Sequence, residues 1–236
     1  MKLFHSNKAS EPLRGNSGQD EFAVRRAEML EKQLRRRGIH DSRVLSAMDA
    51  VRREEFVPEE SRQRAYEDAP LPIGEGQTIS QPYIVAVMTA ALRLNASERI
   101  LEIGTGCGYQ AAVLSHLART IFTIESRSEL ASAAAARLDR LGYKNVHVHC
   151  GDGTFGLSDF APFDAILVAA AAPAVPEPLR SQLADGGRLI LPVGDAENQE
   201  LLYLERHGNS YKTRTLEACR FVPLVGHHGW KEPPAR

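Results

Sequence analysis

One stretch, RILEIGTGCGYQAA at positions 99–112, constrains what this chain can fold into more than any other. Ile100, Leu101 and Ile103 form a short apolar run of the kind buried in a parallel sheet, and glycines follow at 104, 106 and 108. Ala111, Ala112, Val113, Leu114 and Leu117 then return at helical spacing. Gly104, Gly106 and Gly108 therefore sit in a tight turn between a strand and a helix N-terminus, where the missing side chain lets the backbone approach a ligand. Further apolar runs at 121–124, 146–149, 163–168 and 188–193 are separated by helical patterns, which predicts an α/β chain with a mainly parallel sheet.

The glycine spacing narrows the ligand. A dinucleotide fingerprint, GxGxxG, would need glycine where Tyr109 stands. The observed GxGxG, preceded by Glu102, resembles instead the S-adenosylmethionine turn of class I methyltransferases. Glu125 closes the next strand, where a carboxylate can accept hydrogen bonds from both ribose hydroxyls. After the third strand comes GDG (151–153), which puts Asp152 at the adenine edge and keeps the backbone open at Gly153. A structural turn without a ligand would explain the glycines alone, but not the three features together. The fourth strand runs into AAAAP (169–173). Methyltransferases that act on the amino groups of bases typically carry Asn or Asp before two prolines there, so a substrate needing no such acceptor fits better.

Composition removes other classes. The 236 residues suffice for one sizeable α/β domain, and 29 basic against 30 acidic residues leave a net charge of -1, without the basic field of a nucleic-acid binder. Three cysteines without repeated spacing argue against a disulfide framework or a zinc site and fit reduced thiols in a cytoplasm. Cys107, inside the turn, reads as a small residue filling space rather than a nucleophile. The opening MKLFHSNKAS has no apolar core ahead of a cleavage site, and the most apolar run, 165–175, is broken by Pro173 and too short to span a bilayer. The expectation is a cytoplasmic protein with neither a membrane nor a nucleic-acid partner and no metal.

In chain order, residues 1–19 read as a mobile tail. A helix follows with Ala23, Ala27, Leu30 and Leu34 on one face and Gly38 as its stop, then a second helix capped by Asp41 or Ser42. The proline- and glycine-rich 66–77 reads as an ordered loop without regular structure. Pro82 can open the next helix, which places Ser80 near its N-cap, and on patterning alone capping outweighs catalysis for that serine. Two late strands, near 200–205 and 213–221, flank a turn at 207–209, and 227–236 reads as an irregular tail. The adjacent His227 and His228 diverge, which argues against a metal site on that pair.

Six stretches in order resemble the protein-L-isoaspartate O-methyltransferases: TISQPY (78–83), LEIGTGCGYQAA (101–112), GDG (151–153), FDAILVAAAAPAVP (163–176), GGRLILPVG (186–194) and RFVPLVG (220–226). The resemblance spans roughly 21–226. It implies a doubly wound, mostly parallel seven-stranded, Rossmann-like sheet with an N-terminal helical segment, in one domain (20–226) between the two tails. It also implies S-adenosyl-L-methionine as cofactor, held by Glu102, Gly104, Gly106, Gly108, Glu125, Asp152 and Gly153. Substrates would be isoaspartyl-containing proteins and peptides, held between Thr78 and Ile79 on one side and Val222, Pro223 and Leu224 on the other. Ser80 matches the family's active-site serine. Cys107 replaces a commoner serine and Ala169 a commoner threonine. Two rivals stay open at this point: a methyltransferase for a small acid or hydroxyl compound, and a non-catalytic module that keeps the fold as a scaffold.

Overall fold

In the computed structural model, which describes residues 17–231, the chain opens on helix α1 (Ser17–Glu28). The helix runs on without a break into a π-helical turn, Met29–Leu34, and a 3-10 turn, Arg35–Arg37, before Gly38 stops it in the left-handed region at φ 93°. The wide turn changes the buried face. Met29 and Leu34, five residues apart, are both fully buried, whereas Ala23 and Ala27 are exposed, so the face expected from 3.6-residue spacing is displaced. Helix α2 (Ser42–Ala50) is capped by Asp41, whose side chain accepts from the Arg43 amide. Of the two terminal segments read as tails, 1–16 and 232–236 lie outside the described residues.

The stretch expected to be an irregular loop is a small hairpin instead, strands β1 (Leu71–Gly74) and β2 (Gln77–Ile79), in a two-stranded sheet of its own. Pro72 is tolerated because a two-stranded ribbon consists of edges, and the turn is made by Gly74, Glu75 and Gly76, all at positive φ. Pro82 then opens helix α3 (Pro82–Ala91) at its first turn.

The main sheet follows: β3 (Arg99–Ile103), helix α4 (Tyr109–Ser115), β4 (Thr120–Glu125), helix α5 (Ser128–Arg140), β5 (Val146–Cys150), β6 (Phe163–Val168), helix α6 (Glu177–Ser181), β7 (Leu183–Gly194), β8 (Gln199–His207) and β9 (Ser210–Cys219). The strand order is β5-β4-β3-β6-β7-β8-β9. The first five strands to form it are parallel, and β8 and β9 join by antiparallel pairing. Alternate residues feed two apolar layers: Ile100 and Ile121 enter the layer beneath α3 and α4, while Leu101, Ile103, Phe122 and Ile124 enter the other. This is why the central strands read as unbroken apolar runs. The sheet grows outward from β3 to β5, then returns to β6 on the other side of β3. The crevice beyond the C-terminal ends of β3 and β6 is thus the topological switch point, where open α/β sheets bind ligands.

Candidate active site

A cavity of about 710 Å3 opens at that crevice. One end is walled by the glycine turn after β3. Gly104 and Gly106 have φ of 91° and 53°, and a Cβ on Gly106 would stand 3.3 Å from Ile73 Cδ1 of the hairpin packed over the turn. Glu125 lines the same end, 6% exposed; its carboxylate accepts from the Gly106 amide at 2.9 Å and the Arg127 amide at 3.1 Å. Those bonds pin the carboxylate to the turn while its face stays on the cavity. Gly153 completes the wall, since a Cβ there would come within 2.5 Å of Ile103 Cγ2. Arg127 and Glu75 form an ion pair at 3.7 Å between this end and the hairpin tip.

The same cavity is also lined by Thr78, Ile79 and Ser80 and by Val222, Pro223 and Leu224. Ser80 does not cap α3: the N-cap is Gln81, and no side-chain capping bond is present there. The serine carbonyl accepts from Arg53 at 2.7 Å, the residue lines the cavity, and its hydroxyl makes no hydrogen bond among the described residues. The 222–224 backbone is partly committed to the protein's own bonds. Val222 O accepts from Ala171 N, Leu224 N donates to Ala171 O, and Leu224 O accepts from Trp230 N, each at 2.8 Å. Pro223 has no N–H, so what this segment leaves unpaired is the Val222 amide and the Pro223 carbonyl, beside its apolar side chains.

Three expected cofactor residues stand elsewhere. Glu102 is fully buried inside the sheet, opposite Thr123 in the β3–β4 register, and that hydroxyl lies 2.5 Å from Glu102 Oε2. Thr123 is in turn 2.7 Å from the Thr105 hydroxyl, so Glu102 braces the turn from behind instead of facing the cavity. Burial pushes its carboxyl up to about 8, against the partly offsetting Thr123 bond. Gly108 is the left-handed N-cap of α4, and its open side meets Leu138, 3.1 Å from where a Cβ would be. It serves packing. Asp152 caps the 3-10 turn at Gly153–Phe155 through the Thr154 amide and hydroxyl, and its second oxygen accepts from His227 N at 2.8 Å. Partial burial would raise its pKa, but these donors outweigh that and hold the carboxyl below the usual range. Asp152 is not among the residues lining the cavity, and the wall at this place is Gly153.

Sequence reasoning missed the strap formed by residues 226–230. His228 N donates to Thr154 Oγ1 and Trp230 Nε1 to Ala171 O, each at 3.1 Å, and Trp230 lines the cavity. The available signal was the glycine pair in GHHGW: a Cβ on Gly226 would overlap the Asp152 carboxylate, and one on Gly229 the Leu224 carbonyl. His227 and His228 both pack on the Phe155 ring, with centroids 5.3 and 5.0 Å away. Among the described residues no group of three or more His, Cys, Asp or Glu converges as a metal site, and no helix is long and apolar enough to cross a membrane. Cys107 is buried and its thiol is pushed up by that burial, the behaviour of a packing residue.

A doubly wound sheet with a GxGxG turn at its switch point and a carboxylate closing the adjacent strand defines the class I methyltransferase architecture. The family model for protein-L-isoaspartate(D-aspartate) O-methyltransferase matches residues 25–229. Protein-L-isoaspartate O-methyltransferases of Roseiflexus sp. and Roseiflexus castenholzii are 55% and 59% identical over 210 and 197 residues, covering 89% and 84% of this chain and 96% and 90% of theirs. A solved protein-L-isoaspartate O-methyltransferase superposes with a TM-score of 0.79 at 30% identity, covering 86% of this chain and 67% of the other. A Plasmodium falciparum chain described as the same enzyme, solved with S-adenosyl-L-homocysteine, gives 0.73 at 26% identity over 85% and 98%. The chain belongs to the protein-L-isoaspartate(D-aspartate) O-methyltransferase family.

Proposed function

We propose that this chain methylates the free α-carboxylate of L-isoaspartyl residues in damaged proteins, drawing the methyl group from S-adenosyl-L-methionine. The observation that carries the reading is that one cavity is lined both by a glycine turn with the Glu125 carboxylate and by the two segments 78–80 and 222–224. The residues present fit the cofactor. Gly104, Gly106 and Gly153 present bare backbone to a nucleoside, Ile124 offers it an apolar wall, and Glu125 offers acceptors for ribose hydroxyls. When bound, the cofactor supplies a methyl group made electrophilic by the adjacent sulfonium.

The chain's own task is binding and aim. An α-carboxylate titrates near 3.3 to 3.7, so it is already an anion at neutral pH and needs no general base. The 78–80 and 222–224 segments accordingly hold no histidine or carboxylate. Thr78 and Ile79 hold the peptide, and the Ser80 hydroxyl donates to one carboxylate oxygen so that the other is aligned for attack. Orientation of this kind can supply roughly 7 to 11 kcal/mol of a barrier. In the resulting ester the neighbouring backbone amide nitrogen attacks the ester carbonyl and methanol leaves, closing a succinimide whose hydrolysis returns some normal aspartate. The acceptor is a protein, with neither nucleic acid nor membrane involved, and three unpaired thiols support a cytoplasmic setting.

Incubation with methyl-labelled cofactor and an aged protein mixture tests the reading. Base-labile label on the aged mixture and little on fresh protein is the expected result; label on small acids or hydroxyl compounds alone would replace it with the small-molecule reading, and cofactor binding without any transfer would leave a scaffold.

A further inference from the structure

The residue with the least ordinary surroundings in this protein is Arg53, in the 3-10 turn Arg53–Glu55 after α2. It is wholly buried, and arginine is almost never so unless it is paired with an acid. Its partners here are neutral. Nε donates to Ala65 O and Nη2 to Ser80 O, both at 2.7 Å, and the guanidinium carbon stands 4.7 Å from the centre of the Tyr109 ring. Nη1 and the Tyr109 hydroxyl are buried beside each other, and neither makes a hydrogen bond of ordinary geometry. The neighbouring acids are engaged elsewhere: Glu54 accepts from the Tyr66 hydroxyl at 2.5 Å, and Glu55 pairs with Arg62 and Arg140.

Both Ser80 and Tyr109 are wall residues of the cavity, one from the peptide segment and one from the first position of the helix behind the glycine turn. Arg53 therefore joins the two ends of the site from one layer behind. A guanidinium remains charged in proteins, and no carboxylate of its own is bonded to it. The substrate read above is an anion whose oxygen must lie beside Ser80.

We propose that Arg53 is a positioning residue for the methyl transfer: it fixes the Ser80 peptide against the Tyr109 end of the cofactor turn, and its unneutralised charge favours an ionised carboxylate at Ser80. The proposal rests on the function given above. Its energetic logic is that a desolvated cation costs stability when only carbonyls and a ring compensate it, and an incoming carboxylate recovers part of that cost at the moment of binding.

The test compares wild type, Arg53→Lys, Arg53→Met and each change combined with Ser80→Ala, reading kcat and KM on an isoaspartyl peptide and the dissociation constant of S-adenosyl-L-homocysteine. Expected is a fall in kcat/KM on the order of 100-fold for Arg53→Met and less for Arg53→Lys, with affinity for the homocysteine compound within about threefold of wild type. In the Ser80→Ala background the same changes cost much less, because the group they aim is gone. Equal losses in both backgrounds, or a lowered melting temperature with normal kcat/KM, would make Arg53 a purely structural tie. Should the variants not fold, 15N spectra of the wild-type Arg53 guanidinium in the homocysteine complex decide: a shift on adding the isoaspartyl peptide, and a smaller one with its methyl ester, supports the proposal, and no shift overturns it. Wild-type turnover in the same assay separates this outcome from failure of the functional reading, which would show as no ester at all.

Discussion

Replacing Glu102 by glutamine makes a quantitative prediction about stability and pH. The carboxyl is fully buried, with one oxygen on the Thr123 hydroxyl and the other without a partner, and its pKa is pushed up from 4.5 to about 8. The folded state therefore holds this proton more tightly than the unfolded chain. The stability it contributes is fully present below pH 4.5 and is lost as pH rises through about 8. Between pH 5.5 and 8 that loss is on the order of 3 kcal/mol at 1.36 kcal/mol per pH unit. Glutamine is neutral throughout and keeps an acceptor for Thr123. Urea midpoints for wild type and Glu102→Gln should therefore diverge with rising pH, the variant gaining on wild type by roughly 3 kcal/mol over that span. Parallel curves would refute a neutral, bracing Glu102 and return it to an ionised role.

Two further substitutions probe the cavity. Glu125→Ala removes a charged acceptor from the nucleoside end, and calorimetry should show S-adenosyl-L-homocysteine binding weakened by about 10- to 150-fold, the equivalent of roughly 1.5 to 3 kcal/mol; unchanged affinity in a folded variant would remove Glu125 from the site. Ser80→Ala should leave the melting temperature nearly unchanged, because Gln81 holds the N-cap, while turnover falls roughly 10- to 100-fold. A lower melting temperature with normal turnover would restore the capping role.

The elements most legible in the sequence are those dictated by local stereochemistry. Glycines at 104 and 106 have positive φ where the strand ends, and the alternation between two apolar layers writes itself into β3, β4 and β6 as unbroken runs. The β1–β2 hairpin was hidden because its prolines and glycines read as breakers, and only pairing with a partner strand makes that composition regular. The displaced face of the first helix depends on a π turn that no 3.6-residue template contains. Within the site, the turn, Glu125 and Gly153 could be placed from sequence because each stands at or just after the end of a strand, whereas the two segments 78–80 and 222–224 came only with the family resemblance. Asp152 and Glu102 could not, since their partners, His227 and Thr123, lie 75 and 21 residues away along the chain. Arg53 gave no signal at all: an arginine in RREE looks solvated until Ala65 and Ser80 close over it.

The central claim is that this cavity reads the position of a carboxylate and not merely its presence. An isoaspartyl residue routes the backbone through its side-chain carboxyl, so its free α-carboxylate hangs one methylene nearer the chain than a normal aspartyl side-chain carboxylate. Segments 78–80 and 222–224 both line the cavity proposed to take the peptide, and misplacing the reacting oxygen by about 1 Å can cost on the order of 100-fold. The decisive measurement is base-labile methyl ester formed on peptides of several sequences, each made in matched isoaspartyl and aspartyl forms. The account predicts ester on every isoaspartyl peptide and almost none on its aspartyl counterpart; comparable rates on the two forms would contradict it and leave a general carboxyl methyltransferase.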